Sequence, residues 1–341
     1  MTWLSWRQSR AQIIAAAAAL AVTAIIAAVT GPHLAGLYDA GGVATCQAHH
    51  SCDTAASAFL NGLSKSTVVL YFAGIAVMLI VPALIGVFWG APLVTREMEA
   101  RTLPLAWNQT VTRTRWMAVK LGMGALTAIA TAGLLSLMLT WWSSPLDSAA
   151  AMGTSKLGLS RLGPLLFAAR GITPAGYAAC AFVLGVIAGV LIGRTIPAMA
   201  ATLAGFAVIQ LTWANWIRPS LIAPVHMITA LNPANIYLVK VTNNTMFISA
   251  TPSSGQQGAW VLSSQVIDKA GHPFQGAPPA GCPVNLHQCA AGIGSLHLRQ
   301  LITYQPVSRY WTLQWYETAV FLAVAVALAA FCAWRIRHLA D

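Results

Sequence analysis

Charge is scarce in this chain. Only 8% of its 341 residues are Asp, Glu, Lys or Arg, and just eight of them are acidic. Soluble domains carry roughly 25% charged residues, and a soluble fold would have to hide the 57% that are hydrophobic without the charged loops that keep such a fold dissolved. The sequence devices of nucleotide and hydrolase chemistry are missing too. No GxxxxGK[ST] loop occurs, no dinucleotide fingerprint stands between a strand and a helix, and there is neither an HExxH pair nor a GxSxG elbow. The chain therefore lacks an ATP site of its own and reads as no enzyme.

Long uncharged runs are abundant. Ile13–Val29, Thr67–Trp89, Leu121–Trp142, Ala175–Gly193, Ile196–Trp216 and Thr318–Trp334 contain no Asp, Glu, Lys, Arg or His. A helix rises about 1.5 Å per residue, so roughly 20 apolar residues cross the hydrocarbon core. The expected fold is an all-α polytopic membrane protein of six transmembrane helices in the plasma membrane. With the N-terminus inside, Met1–Gln12, Gly90–Lys120, Arg194–Thr195 and Arg335–Asp341 face the cytoplasm. Those 52 residues hold ten Lys or Arg, whereas the 170 on the other side hold nine. That density difference predicts both termini inside. The net charge of +11 then reports topology and contact with anionic membrane lipids, not nucleic acid. Trp89, Trp116 and Trp334 fall at inner span ends, and Trp141, Trp142, Trp213, Trp216, Trp311 and Trp315 at outer ends, the headgroup level that indole prefers.

The expected organisation has four parts. Residues 1–12 form an interfacial N-terminal helix, and 13–216 form spans one to five with the cytoplasmic segment 90–120. Residues 217–317 form an extracellular subdomain, and 318–341 the sixth span and a cytoplasmic tail. Within the insertion, Leu221–Val239 is apolar but interrupted by Pro224, His226, Asn232 and Pro233, which predicts re-entrant helices dipping part-way into the outer leaflet. Residues 242–294 are rich in Gly, Ser, Gln and Pro and are expected to be irregular. Gly185, Gly189 and Gly193 recur at four-residue spacing on one face of span four, a pattern that suits close helix packing within a subunit or a dimer seam.

Cys46, Cys52, Cys282 and Cys289 fall in outward loops, an oxidising setting, and are disulfide candidates. Four cysteines allow three pairings, of which Cys46 with Cys52 and Cys282 with Cys289 is the simplest. His49 and His50 between the first two, and His287 between the others, also admit a zinc or copper site. Glu317, at the start of span six, suits helix-terminus stabilisation or a functional carboxylate. A membrane enzyme or assembly factor using these outward Cys/His loops is thus one reading. The spans themselves hold nothing that titrates, which argues against a proton antiporter, voltage sensor or redox pump. Work on a substrate would have to enter from another polypeptide, and Gly90–Lys120 is the sizeable inward surface. There Glu97 and Arg101 stand one turn apart, Leu103, Leu105 and Trp107 offer an apolar edge, and Thr112 suits a helix cap.

Arg96-Glu97, Glu99, Thr102, Trp107-Asn108-Gln109, Thr112-Arg113, Arg115-Trp116 and Lys120 follow the second span in an order that resembles permease subunits of type-2 ABC transporters, in particular a group common in actinobacteria. Arg101 replaces the glycine that usually precedes Thr102 there. Arg170-Gly171-Ile172 and Gly193-Arg194-Thr195-Ile196-Pro197 are similar to the same group. The resemblance implies a permease dimer, with an identical or paralogous second copy, above two separate ATPase subunits that supply ATP and Mg; no cofactor is expected in this chain. It also implies that Arg96, Glu97, Glu99, Arg101, Thr102, Leu103, Trp107, Asn108 and Gln109 form an ATPase-coupling element. The expected function is export of a lipophilic or amphipathic substrate by alternating access.

Overall fold

A computed structural model describes residues 10–46, 52–100, 113–152, 160–242, 245–252, 258–279, 282 and 286–338. The chain divides into two compact units, one comprising Ser160–Leu162 with Pro219–Tyr310 and the other the remainder. Its helices run α1 Arg10–Ala40, α2 Asp53–Gly62, α3 Lys65–Ile85, α4 Pro92–Glu99 and α5 Arg113–Met152. They continue with α6 Pro164–Ala169, α7 Thr173–Ile192, α8 Thr195–Thr212, α9 Leu286–Ser295 and α10 Tyr310–His338. π-helical turns extend α3 over Gly86–Gly90 and α8 over Trp213–Ile217.

Among the described residues, six helical stretches are long and apolar enough to cross a membrane: Arg10–Ala40, Lys65–Glu99, Arg115–Ala151, Thr173–Ile192, Thr195–Ser220 and Val307–Arg335. Each expected span lies within one of them, except that the fourth overruns by Gly193. Of the expected interfacial helix, residues 1–9 lie outside the described residues and Arg10–Gln12 belong to α1.

The helical unit is organised around α7. Of its apolar stretch 78% is buried, against 6–33% for the other five. Its small residues explain why. A Cβ on Gly86 would lie 2.5 Å from the Ala181 carbonyl oxygen, and one on Gly189 would lie 2.7 Å from that of Ala91. Gly90 meets the Phe182 carbonyl and Gly185 meets that of Gly86 just as closely. The π turn after α3 and the glycine face of α7 therefore touch backbone to backbone. The row of Gly185 and Gly189 is filled by the chain's own α3–α4 junction, so this face is internal packing. Gly193 ends α7 in the left-handed region at φ 70°, where glycine carries no Cβ penalty.

The second unit corrects the expectation of an all-α chain with an irregular insertion. It contains β1 Val225–Ala230, β2 Ile236–Thr242, β3 Thr245–Ala250, β4 Trp260–Ile267 and β5 Arg299–Gln305. β5 runs between β1 and β4, antiparallel to both, and β2 pairs antiparallel with β3. The segment expected to hold re-entrant helices is thus strand. Its Val-His-Met-Ile-Thr-Ala and Ile-Tyr-Leu-Val-Lys-Val-Thr runs are rich in β-branched residues, and β1 alternates half-buried and exposed positions with period two. Ile236, Met246, Val266, Cys289, Ile293 and Leu298 form its core. Cys282 is bonded to Cys289 here, and Cys46 to Cys52 in the helical unit. Asp268 closes the turn after β4 by accepting from the His272 N–H at 2.9 Å, a bond that holds its carboxyl below the usual range.

Valine at Gly185 would drive a side chain into the Gly86 carbonyl and is expected to cost about 3 kcal/mol. The readout is a lowered thermal unfolding midpoint in detergent. Valine at Gly133, where a Cβ meets only the Ala175 Cβ at 3.6 Å, serves as the tolerated comparison. Equal midpoints for the two variants would contradict the packing described.

Candidate functional site

α4 is a short helix with Pro92 in its first turn, where a missing N–H costs nothing. Two of its carboxylates reach different neighbours. The Glu99 oxygens accept from the Thr195 N–H at 2.8 Å and from the Thr195 hydroxyl at 2.9 Å. A carboxylate from one helix thereby caps the N-terminus of another, satisfying a donor that α8 leaves open and complementing its dipole. The Thr95 and Thr195 hydroxyls lie 2.8 Å apart and reinforce the contact. On the other side Glu97 pairs with Lys120 of α5. That ammonium is 8% exposed and sits 4.4 Å above the Trp116 ring, which offsets part of its desolvation. α4 is therefore tied at once to α5 and to the tight α7–α8 turn.

Of the residues expected to form a coupling element, Arg96, Glu97 and Glu99 stand on α4, with Arg96 and Glu99 exposed. Arg101, Thr102, Leu103, Trp107, Asn108 and Gln109 lie outside the described residues. The partner observed for Glu97 is Lys120, a contact 23 positions away that helical spacing does not suggest. Thr95 was not singled out in the sequence, and Lys120 and Thr195, both within the motifs quoted above, were not expected to bind Glu97 and Glu99. The signal that could have found Thr195 is its place just after Gly193-Arg194, where a helix must start.

At the opposite end of the bundle, just beyond the expected spans, Glu317 and Arg218 form a buried charged cluster that the sequence did not suggest. Glu317 is not a simple terminal stabiliser. The Arg218 Nε and Nη2 donate to its two oxygens at 2.8 and 2.7 Å, a bidentate pair in which both side chains are fully buried. The Tyr177 hydroxyl also donates to Glu317 and accepts from Arg218 at 2.9 Å. Arg218 Nη1 donates to the Pro164 carbonyl at 3.2 Å, and its guanidinium lies 4.5 Å over the Phe167 ring. A second buried pair joins Arg170 to Asp147 at 3.5 Å, with Tyr71 and Ser143 donating to the two Asp147 oxygens at 2.7 and 3.0 Å. α5 continues beyond Trp142 through Asp147 to Met152 and buries that carboxylate. Both pairs grip α6. Gln314 of α10 completes the arrangement by accepting from the Ile172 and Thr173 N–H groups and donating to the Phe167 and Arg170 carbonyls.

The Cys/His segments supply no such cluster among the described residues. Both cysteine pairs are disulfides, His49 and His50 lie outside the described residues, and among the described residues no three His, Cys, Asp or Glu side chains gather as a metal site would require.

Six membrane-competent helices among the described residues, one of them buried among the other five, define a multi-pass membrane protein. Residues 17–218 match the model of the family described as ABC-2 membrane transporter related, and the chain belongs to that family. Membership makes it a permease-type component of an ABC transporter and implies a separate ATPase subunit. Neither the curated proteins nor the solved structures contain a match to the chain. The family match ends at Arg218, the last residue of the helical unit before Pro219.

Replacing Arg218 by Met leaves Glu317 as an uncompensated buried charge and is expected to cost about 3–5 kcal/mol. Arg218→Met combined with Glu317→Leu should recover at least half of that loss, measured as unfolding midpoints in one detergent. A double variant no more stable than the single one would contradict the pairing described.

Proposed function

We propose that this chain is the membrane subunit of an ATP-binding-cassette exporter that moves a lipophilic or amphipathic substrate outward by alternating access. The observation that carries the reading is the double attachment of α4. Motion delivered to the segment after Glu99 would pass through Glu99 to the α7–α8 turn and through Glu97 to α5. Residues 100–112 would be the contact for the ATPase subunit, with Leu103 and Trp107 as its apolar edge. ATP and Mg would bind there in the partner, and this chain would need no cofactor and catalyse no reaction.

Orientation rests on charge and redox chemistry. The Lys- and Arg-dense segments between spans would lie in the cytoplasm with both termini. The disulfide-bearing segments would face the oxidising side of the cell membrane. The Pro219–Tyr310 unit would then lie outside. A second copy, identical or paralogous, would complete the pathway. It would meet a face other than the glycine row, because Gly185 and Gly189 already touch Gly86 and Ala91 of the same chain.

Substituting Arg101, Leu103 and Trp107 with alanine is expected to lower transport by roughly tenfold while the ATPase subunit keeps hydrolysing ATP. Glu99→Gln with Thr195→Val should uncouple in the same direction through the link inside the membrane subunit. The assay is ATP turnover beside substrate flux in one reconstituted preparation. Flux that tracks turnover in both variants would contradict the coupling path.

A further inference from the structure

Two buried clusters meet at α6, and each consists of a tyrosine, a carboxylate and an arginine. Tyr177, Glu317 and Arg218 make one, and Tyr71, Asp147 and Arg170 the other. In both, the tyrosine hydroxyl donates to the carboxylate. In both, the arginine is buried, Arg218 being 0% and Arg170 2% exposed. The guanidinium groups differ. Arg218 donates to both Glu317 oxygens, at 2.8 and 2.7 Å. Arg170 Nε stops 3.5 Å from Asp147 Oδ2, and among the described residues none of its three nitrogens makes a hydrogen bond.

Acceptor capacity does not explain the gap. Asp147 takes one bond on each oxygen, from Tyr71 at 2.7 Å and from Ser143 at 3.0 Å, and a carboxylate has about four acceptor sites. The donor side is pinned. The Arg170 carbonyl accepts from Gln314 Nε2 at 3.1 Å. The next residue is tied to α5 twice, for Ser136 donates to the Gly171 carbonyl at 2.8 Å and the Gly171 N–H donates to the Thr140 hydroxyl at 3.2 Å. Beyond that attachment α5 contains Pro145. Proline has no N–H for the carbonyl four residues back, and it loosens the turn before it. The Trp141 carbonyl accepts from the Ser144 hydroxyl instead, at 2.9 Å. From Trp141 to Asp147 is about 9 Å along the helix, so a tilt of roughly 10° there moves the carboxylate further than the missing distance. Leu146 and Ala149 share a core with Ala56 and Phe59 of α2, so α2 would move with this end of α5.

We infer that Arg170 and Asp147 are a latch with two settings, one apposed at 3.5 Å and one closed, with the guanidinium forked onto the carboxylate as Arg218 is onto Glu317. The α5 end beyond Pro145 is the moving part, and the α6–α7 junction is the fixed one. Desolvated donors one small step from an ionised acceptor make a bistable contact. Hydrogen bonds to the charge favour the closed setting, and the turn around Pro145 holds the apposed one. A ligand seated on Arg170 fits less well, because the guanidinium is enclosed by protein. The latch sets how closely α5 approaches the α6–α7 junction at the end of the bundle opposite α4. It would operate whatever cargo the chain carries and whichever subunit drives it.

The full chain, carrying nitrogen-15-labelled arginine in lipid nanodiscs, would be followed through the side-chain Nε–H resonances of its buried arginines. Arg170→Lys and Arg218→Lys assign them by loss of signal. Arg218 should give one sharp resonance. Arg170 should exchange between two, on the microsecond-to-millisecond scale of hinge motions, as measured by relaxation dispersion. Asp147→Asn keeps the shape and an acceptor for Tyr71 but removes the charge, and should leave Arg170 with one resonance. Pro145→Ala, which restores a helical bond to Trp141, should cut the exchange contribution by about threefold or more. A single Arg170 resonance in wild type, whether from a permanent pair or from a bridging water, would overturn the latch. So would exchange that persists in Asp147→Asn or is unchanged in Pro145→Ala.

Discussion

Backbone-to-backbone contact between the Gly86–Gly90 turn and α7 sets the geometry of everything around it. Because no side chain separates the two segments, the α3–α4 junction is held against the most buried helix of the bundle. α4 leaves that junction at a fixed place, so Glu99 reaches the start of α8 and Glu97 reaches Lys120. Larger residues at Gly86, Gly90, Gly185 or Gly189 would move α4 outward and break both links together. In lipid such packing is a principal source of helix association, since hydrocarbon offers apolar side chains no reason to leave it.

Charge then divides the bundle by position. The middles of the spans are uncharged, and ionisable groups gather at the two ends. At the Lys120 end Arg96 and Glu99 are exposed and Lys120 is buried, and the group links a short helix, a turn and the first residues of α5. At the Glu317 end they are buried around α6, where Arg218 alone reaches Glu317, Tyr177, Pro164 and Phe167, while Arg170 approaches Asp147 at 3.5 Å without a hydrogen bond from its guanidinium. A desolvated pair contributes little net stability against apolar substitutes, but leaving either member alone is costly. The contrast suits a protein that is driven at one end and braced at the other.

Much of this was legible in the sequence. Six uncharged runs specify six helices because hydrogen-bond economy in lipid leaves a segment little alternative, and the Arg96-Glu97 region pointed to α4. Other features were hidden for physical reasons. Thr195 and Lys120 meet α4 only through tertiary contact, 96 and 23 positions from their partners. Arg218 and Glu317, 99 positions apart, each look like an ordinary charge flanking a span. The strands at Val225–Ala230 and Ile236–Thr242 were obscured because hydropathy suggested partial membrane entry, while their period-two alternation was the informative signal. In the helical unit the glycine spacing was visible, but only the fold shows that its partner lies in the same chain.

The central claim is that the work enters this protein mechanically through its charged end, from a separate ATPase. The most direct measurement is substrate accumulation in sealed vesicles. One set would hold the chain alone under a proton or sodium gradient, and another the chain with its ATPase subunit and Mg-ATP. The account predicts accumulation only in the second set, abolished when the ATPase cannot hydrolyse ATP. Gradient-driven accumulation by the chain alone would contradict it.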